Sequence, residues 1–359
     1  MKGKMKAQVF YEPEVMKLEE VDIPQITDDQ VLVKVKACGI CGSDVAYYFG
    51  ASSLETPTGK GPLILGHEFT GEVVEVGKIP DSLGLFKPGD RVVLDPVQYC
   101  NACEVCKKGY VNLCENKTVL GVSVDGGFAE YCAVKYTSVH KLPDNVSYEQ
   151  GSLTEPLADA VYGVGKMEIS PGDFCVVIGP GPIGIMMVQL AKASGAGKVV
   201  LVGTRDYRLQ VGLEVGADEV FNTGDESSPI YTDDLKGRIE ELSGGKFADA
   251  VIVATGSVEA MEMALEISGR RARVVYFGLP ADVAVVKVPA LAQILWDKTI
   301  RFSWLAPLTW PRALQLLSTG QINVERLISH RYKLDQLEQA LHEVRDRKGN
   351  VMKAIVVME

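Results

Sequence analysis

Four cysteines fall within fifteen residues, as Cys100-x2-Cys103-x2-Cys106-x7-Cys114. Thiolates at that spacing can close a tetrahedron around zinc, and a site closed by four protein ligands leaves no position for a reacting molecule. The chemistry expected there is structural. A second group is scattered: Cys41 in GICGSD (39–44), His67 and Glu68 in GHE (66–68), and Glu155 in TEP (154–156). A thiolate, an imidazole and a carboxylate form a three-ligand set whose fourth position stays open. An ion held that way lowers the pKa of a hydroxyl and polarises a carbonyl. Taken singly, a buried cysteine is usually core, and Cys38 is assigned to packing.

A third feature is the loop Gly179-Pro180-Gly181-Pro182-Ile183-Gly184, which follows the apolar run FCVVI and opens an amphipathic stretch. A GxGxxG is informative only between strand and helix, the context found here. Gly179 permits the turn, Gly181 lets a pyrophosphate reach the backbone, and Gly184 lets helix and strand pack closely. The helix start adds unpaired N–H groups and a positive dipole end. The next apolar run, KVVLV, ends in Gly203-Thr204-Arg205-Asp206. An acid that grips the adenine ribose is expected near Gly203 in NAD sites. A small residue, a hydroxyl and a guanidinium suit a 2′-phosphate instead, so NADP is favoured. Asp206 keeps NAD as the alternative. The cofactor-binding set is therefore Gly179, Gly181, Pro182, Ile183, Gly184, Gly203, Thr204, Arg205 and Arg208.

The elements that must position these groups differ along the chain. Up to about residue 155, short β-branched segments such as VLVKVKACGI and FTGEVVEVG alternate with Gly, Pro and Asp, which reads as a set of small strands. From Pro171 the texture changes to continuous apolar runs, FCVVIG, KVVLVG, ADAVIVAT and ARVVYFG, separated by helical stretches. That alternation predicts a parallel, doubly wound sheet buried on both faces. After Trp296 a helix over 310–319 and a closing strand, KAIVVM, are expected to rejoin the first domain. The predicted division is 1–156 with 297–359 against 157–296.

The chain has 359 residues, 47% hydrophobic and 23% charged, with net charge −10. Two domains fit that length. The charge disfavours nucleic acid or an anionic membrane as partner. The most apolar stretch, 174–191, is broken by Pro180, Pro182 and glycines, too interrupted for a membrane span. No secretory leader is read at the start, so a cytoplasmic protein is expected.

The runs KACGICGSD, GHEFTGEVVEVG, CNACEVCKKGYVNLC, DGGFAEY and VIGPGPIG stand in the order seen in the zinc-containing medium-chain dehydrogenase/reductase (alcohol dehydrogenase) family, which the whole chain resembles. The resemblance implies a GroES-like catalytic domain built from both termini, a Rossmann domain between them, and an active site in the cleft. It implies two zincs per subunit: a structural one on Cys100, Cys103, Cys106 and Cys114, and a catalytic one on Cys41, His67 and Glu155. Glu68 resembles a neighbouring carboxylate that binds the metal transiently. Ser43 resembles the hydroxyl that takes the substrate proton, and Asp44 the acceptor that orients His67.

Glu155-Pro156 is similar to the sorbitol-like polyol branch. Two departures stand out. The family's relay histidine is Ala46 here, and the Arg-Tyr pair that contacts polyols falls on Leu305 and Ala306. The implied activity is hydride transfer between a polyol or secondary alcohol and NAD(P), in a homotetramer. A threonine-type or sugar-acid 5-dehydrogenase is the alternative on the same fold. A zinc-free quinone reductase lacks the cysteine lobe, and a silent structural protein would have lost the ligand set retained here.

Overall fold

The computed structural model describes residues 2–52 and 61–358. The chain divides into two compact units: Met1–Pro156 with Trp310–Ser318 and Ile328–Glu359, and Leu157–Thr309 with Thr319–Leu327.

The first unit is built on a seven-stranded sheet. Its main path runs Val139–Lys141, Arg91–Leu94, Glu68–Val76, Gln30–Gly39, Lys353–Val357 and Ile328–Tyr332, with Tyr131–Lys135 also paired to Gln30–Gly39. A smaller sheet joins Val15–Asp22, Lys4–Glu12 and Leu63–Ile64. Val31, Val33 and Val35 of the central strand are buried, as are Phe69, Phe128 and Leu65 around it. Burial of each such side chain contributes about 1.5–3 kcal/mol. The register matters for function. Gly39 lies opposite Glu68 on one side and opposite Ile355 on the other, so three distant segments meet at one rung.

The second unit holds a six-stranded, all-parallel sheet in the order Glu219–Asn222, Lys198–Gly203, Phe174–Ile178, Ala248–Val253, Ser268–Tyr276 and Thr299–Phe302. Numbered along the chain this is 3-2-1-4-5-6, the doubly wound Rossmann arrangement. Phe174–Ile178, at its centre, is buried throughout, which accounts for its unbroken apolar run.

The expected boundary at 297 needs correction. Thr299–Phe302 pairs parallel with Ser268–Tyr276, so the second unit runs on to Thr309. Residues 319–327 return to it as well, where the Gln189 amide exchanges two hydrogen bonds with the Asn323 backbone and Arg326 pairs with Glu214. The strand escaped notice because TIRF is short and half-exposed, with no apolar run to mark it. No helix among the described residues is long and apolar enough to cross a membrane.

Candidate metal centres and dinucleotide loop

Cys41 caps the helix Gly42–Tyr48, and the cap is made by Asp44, whose Oδ2 accepts from the Cys41 N–H at 2.8 Å. The other oxygen of Asp44 lies 3.3 Å from Nδ1 of His67. One buried carboxylate thus accepts from the Cys41 backbone and lies beside the imidazole's Nδ1, which leaves Nε2 free to face a metal. Ser43 Oγ stands 3.4 Å from that Nε2. The ligand atoms of Cys41, His67 and Glu68 all lie within 4.8 Å of one another. Burial opposes a charge on His67, yet Asp44 and Cys41 hold the imidazole well above its ordinary pKa. So anionic a pocket suits a cation, and this mixed donor set suits zinc.

His67 is aimed by a cluster of glycines. Gly66 has φ +91°, and a Cβ there would meet Cys38 Sγ and the Phe128 ring at 2.9 Å. The Gly66 carbonyl accepts from Gly127 N–H at 2.7 Å, and a Cβ on Gly121 or Gly126 would strike that oxygen. The DGG motif therefore serves the histidine nearly sixty residues before it.

Sequence reasoning missed Lys353. Its ammonium, 5% exposed, is ion-paired with Glu68, 1% exposed, and donates to the Ile40 carbonyl at 3.0 Å. Burial would lower the lysine's pKa, but Glu68, Cys41 and Glu155 carry it above the ordinary value. Gly39 makes room for the pair, since a Cβ there would lie 2.2 Å from Glu68 Oε2. Nothing near Lys353 in the chain signals this role; KAIVVM reads only as a strand.

Glu155 stands in the first turn of the helix Thr154–Gly165, half-buried, and its charge reaches Lys353. It is not one of the tight trio, in which the carboxylate is Glu68.

The sulfur atoms of Cys100, Cys103, Cys106 and Cys114 form the second group whose ligand atoms all lie within 4.8 Å. Backbone N–H groups of Ala102 and Cys103 donate to Cys100 Sγ and lower its pKa to about 6, favouring the thiolate a metal needs. All eight cysteines are free thiols.

In the dinucleotide loop Gly179 has φ +109°, and a Cβ on Gly184 would lie 1.9 Å from its carbonyl oxygen. Gly181 caps the helix Pro182–Ala193, and a Cβ there would meet nothing within 4 Å, so the space above it is open to a ligand. Ile183 follows in the first turn of that helix. Gly203 is different: a Cβ there would strike Pro180 at 2.3 Å. Its smallness is thus a packing requirement of the loop and carries no information about a phosphate. Thr204 and Arg205 are exposed, with Arg205 at the cap of the helix Asp206–Glu214 and Arg208 in its first turn. Arg205 makes no ion pair among the described residues. One oxygen of Asp206, Oδ1, accepts from Asn222 Nδ2 at 2.6 Å and from Ser228 Oγ at 2.7 Å.

A parallel doubly wound sheet with an open glycine loop, and a β-rich unit with two metal-ready groups, define a dinucleotide-dependent metallo-dehydrogenase. The Alcohol dehydrogenase GroES-like domain matches residues 27–144 and the Zinc-binding dehydrogenase domain residues 182–319. The sorbitol dehydrogenase of Bacillus subtilis is 32% identical, over 98% of this chain and 97% of that protein. Among solved structures, a Sinorhizobium meliloti zinc-binding dehydrogenase bound to NADP superposes with a TM-score of 0.89 at 31% identity, covering 99% of both chains. The 2R,3R-butanediol dehydrogenase of Bacillus subtilis gives 0.88 at 30%, covering 98% of this chain and 99% of that one. The chain belongs to the zinc-containing medium-chain dehydrogenase/reductase family, near its sorbitol dehydrogenases.

Proposed function

We propose that the protein is a zinc-dependent dehydrogenase that oxidises a polyol or another secondary alcohol to the ketone, with NADP as the hydride acceptor. The carrying observation is the buried trio Cys41, His67 and Glu68 with the Ser43 hydroxyl against the imidazole. Cys41 and His67 would hold a catalytic zinc, with Glu68 and Glu155 the two carboxylates available for the third place. Such an ion, when bound, lowers the pKa of the substrate hydroxyl and polarises the ketone. Asp44 keeps the imidazole in the tautomer that presents Nε2. Ser43 accepts the proton from the substrate hydroxyl and passes it to water or the cofactor ribose, because Ala46 offers no imidazole. The four lobe cysteines would hold a second, structural zinc.

NADP is supported by Arg205, which is exposed and makes no ion pair among the described residues. The first experiment follows nicotinamide absorbance while both cofactors are crossed with polyols, sugar acids, threonine and simple secondary alcohols. Turnover of a polyol with NADP is expected. Turnover confined to NAD overturns the cofactor assignment, and silence with two zincs bound overturns the substrate class. Arg205→Ala is expected to weaken NADPH binding about 10–100-fold while sparing NADH, the loss of one charge-assisted contact. Equal affinities before and after remove Arg205 from the site.

The assembly is taken as a homotetramer in the cytoplasm, where free thiols persist. Its support is one surface: Val283, Leu291, Ile294 and Phe302 are each 69–90% exposed, and Thr299–Phe302 ends its sheet with no further strand among the described residues. Apolar patches and open edges of that kind mark interfaces. Sedimentation should give a mass of several chains; a 38.9 kDa species at micromolar concentration refutes the oligomer.

A further inference from the structure

The parallel sheet of the second unit has two ends, and the glycine loop uses only one of them. All its strands run the same way, so Gly179 stands where Phe174–Ile178 finishes. Near the edge where the strands begin, a cavity of about 620 Å³ is lined by Arg270, Arg271, Arg273 and Arg301. Ligands of such sheets ordinarily bind at the carboxyl ends, so this cavity is separate from the dinucleotide loop. Its volume suits a small molecule.

The guanidinium donors there exceed the acceptors that the protein offers them, since each has five N–H groups and accepts nothing. Arg301 is committed to Glu168 at 2.7 Å and to the Lys166 carbonyl at 2.8 Å. Arg273 pairs with Asp173 through one amino group, yet its Nε is buried without a partner. Arg270 forms no ion pair among the described residues; its guanidinium rests 5.4 Å from the centre of the Trp296 ring. Arg271 reaches only Asp297, 3.9 Å away, between side chains 85% and 86% exposed. The remaining acid of the lining, Asp249, accepts from the Phe174 N–H at 2.8 Å. Arg271 is also held at φ +58°, a backbone that favours glycine, while its N–H donates to the Trp296 carbonyl at 2.7 Å. A bulky cation kept where glycine would sit with less strain points to a task for its side chain.

We propose that this cavity binds a small metabolite bearing two or more oxyanion groups, phosphates or carboxylates, held chiefly by Arg270 and Arg271. Planar guanidinium forks match both kinds of group in bidentate fashion. More than one group is inferred because the uncommitted donors sit on separate residues around a cavity of about 620 Å³. The site does not depend on the alcohol-dehydrogenase reading.

The test is calorimetric titration of zinc-loaded protein saturated with nicotinamide dinucleotide, which occupies the other phosphate-binding loop. Fructose 1,6-bisphosphate and propane-1,2,3-tricarboxylate separate the phosphate source from the carboxylate source, with orthophosphate as the single-group reference. At least one of the two should bind about tenfold or more tightly than orthophosphate. Replacing both cations, Arg270→Gln with Arg271→Gln, should weaken that binding about 10–100-fold. Absence of binding by both probes, no preference over orthophosphate, or an isotherm untouched by the double replacement overturns the proposal. Arg271→Gly gives a second readout. Without ligand it should melt no lower than wild type, because glycine relieves the backbone, and it should still bind the probe less well. A marked fall in melting temperature would assign the arginines to a structural ion-pair lattice and overturn the inference.

Discussion

Lys353→Met is expected to destabilise metal-stripped protein by about 3–5 kcal/mol, the usual cost of leaving one partner of a buried ion pair alone. The Glu68 carboxylate is 1% exposed, so water cannot replace the ammonium. The hydrogen bond to the Ile40 carbonyl goes too. Zinc restores a positive charge to the pocket, so the loss should shrink in loaded protein. Thermal melts of both forms measure the difference, and Lys353→Arg should recover most of it. An equal loss with and without zinc would mean that the lysine acts through packing and not as the counter-charge of Glu68.

The second large effect concerns the trio itself. Cys41→Ala should remove one zinc per chain, leave the lobe zinc in place, and reduce turnover about a thousandfold or more, since the ion is asked for several kcal/mol of charge stabilisation. Elemental analysis beside a rate assay separates the two sites. Cys106→Ser should produce the opposite pattern, a missing lobe zinc and a lower melting temperature. Retention of both metals and of full rate in Cys41→Ala would dismantle the assignment of the open site. The same pair of readouts on Glu68→Ala and Glu155→Ala ranks the two carboxylates as ligands.

Local spacing made much of this legible. The cysteine lobe, the glycine loop and the buried parallel strands each announce themselves within a dozen or so residues, where helix and strand periods and ligand geometry act directly on neighbours. What stayed hidden was set at long range. Lys353 reaches Glu68 only because strands beginning at 30, 68 and 353 lie side by side. Gly39 looks like any turn residue until the carboxylate opposite it is in place. Gly203 was legible as small but not as the seat of Pro180, so its link to a 2′-phosphate does not survive and Arg205 must carry the NADP argument alone. The short strand Thr299–Phe302 has too little apolar pattern to be read, which displaced the expected domain boundary.

The long-range grip on Gly66 and Glu68 also fixes a chronology. The lobe's four thiols lie within one stretch of fifteen residues, so a growing chain can gather them as soon as that stretch emerges. The other pocket draws on Cys41, on Gly126 and Gly127 behind His67, and on Lys353 near the end of the sequence, contacts whose loop closures are costly and late. During synthesis the lobe's four thiols are therefore all present before the last contributor to the other pocket is added. Ion capture at the lobe can begin while the ribosome is still at work, whereas the reactive pocket matures after residue 353 has been added and its strand has docked.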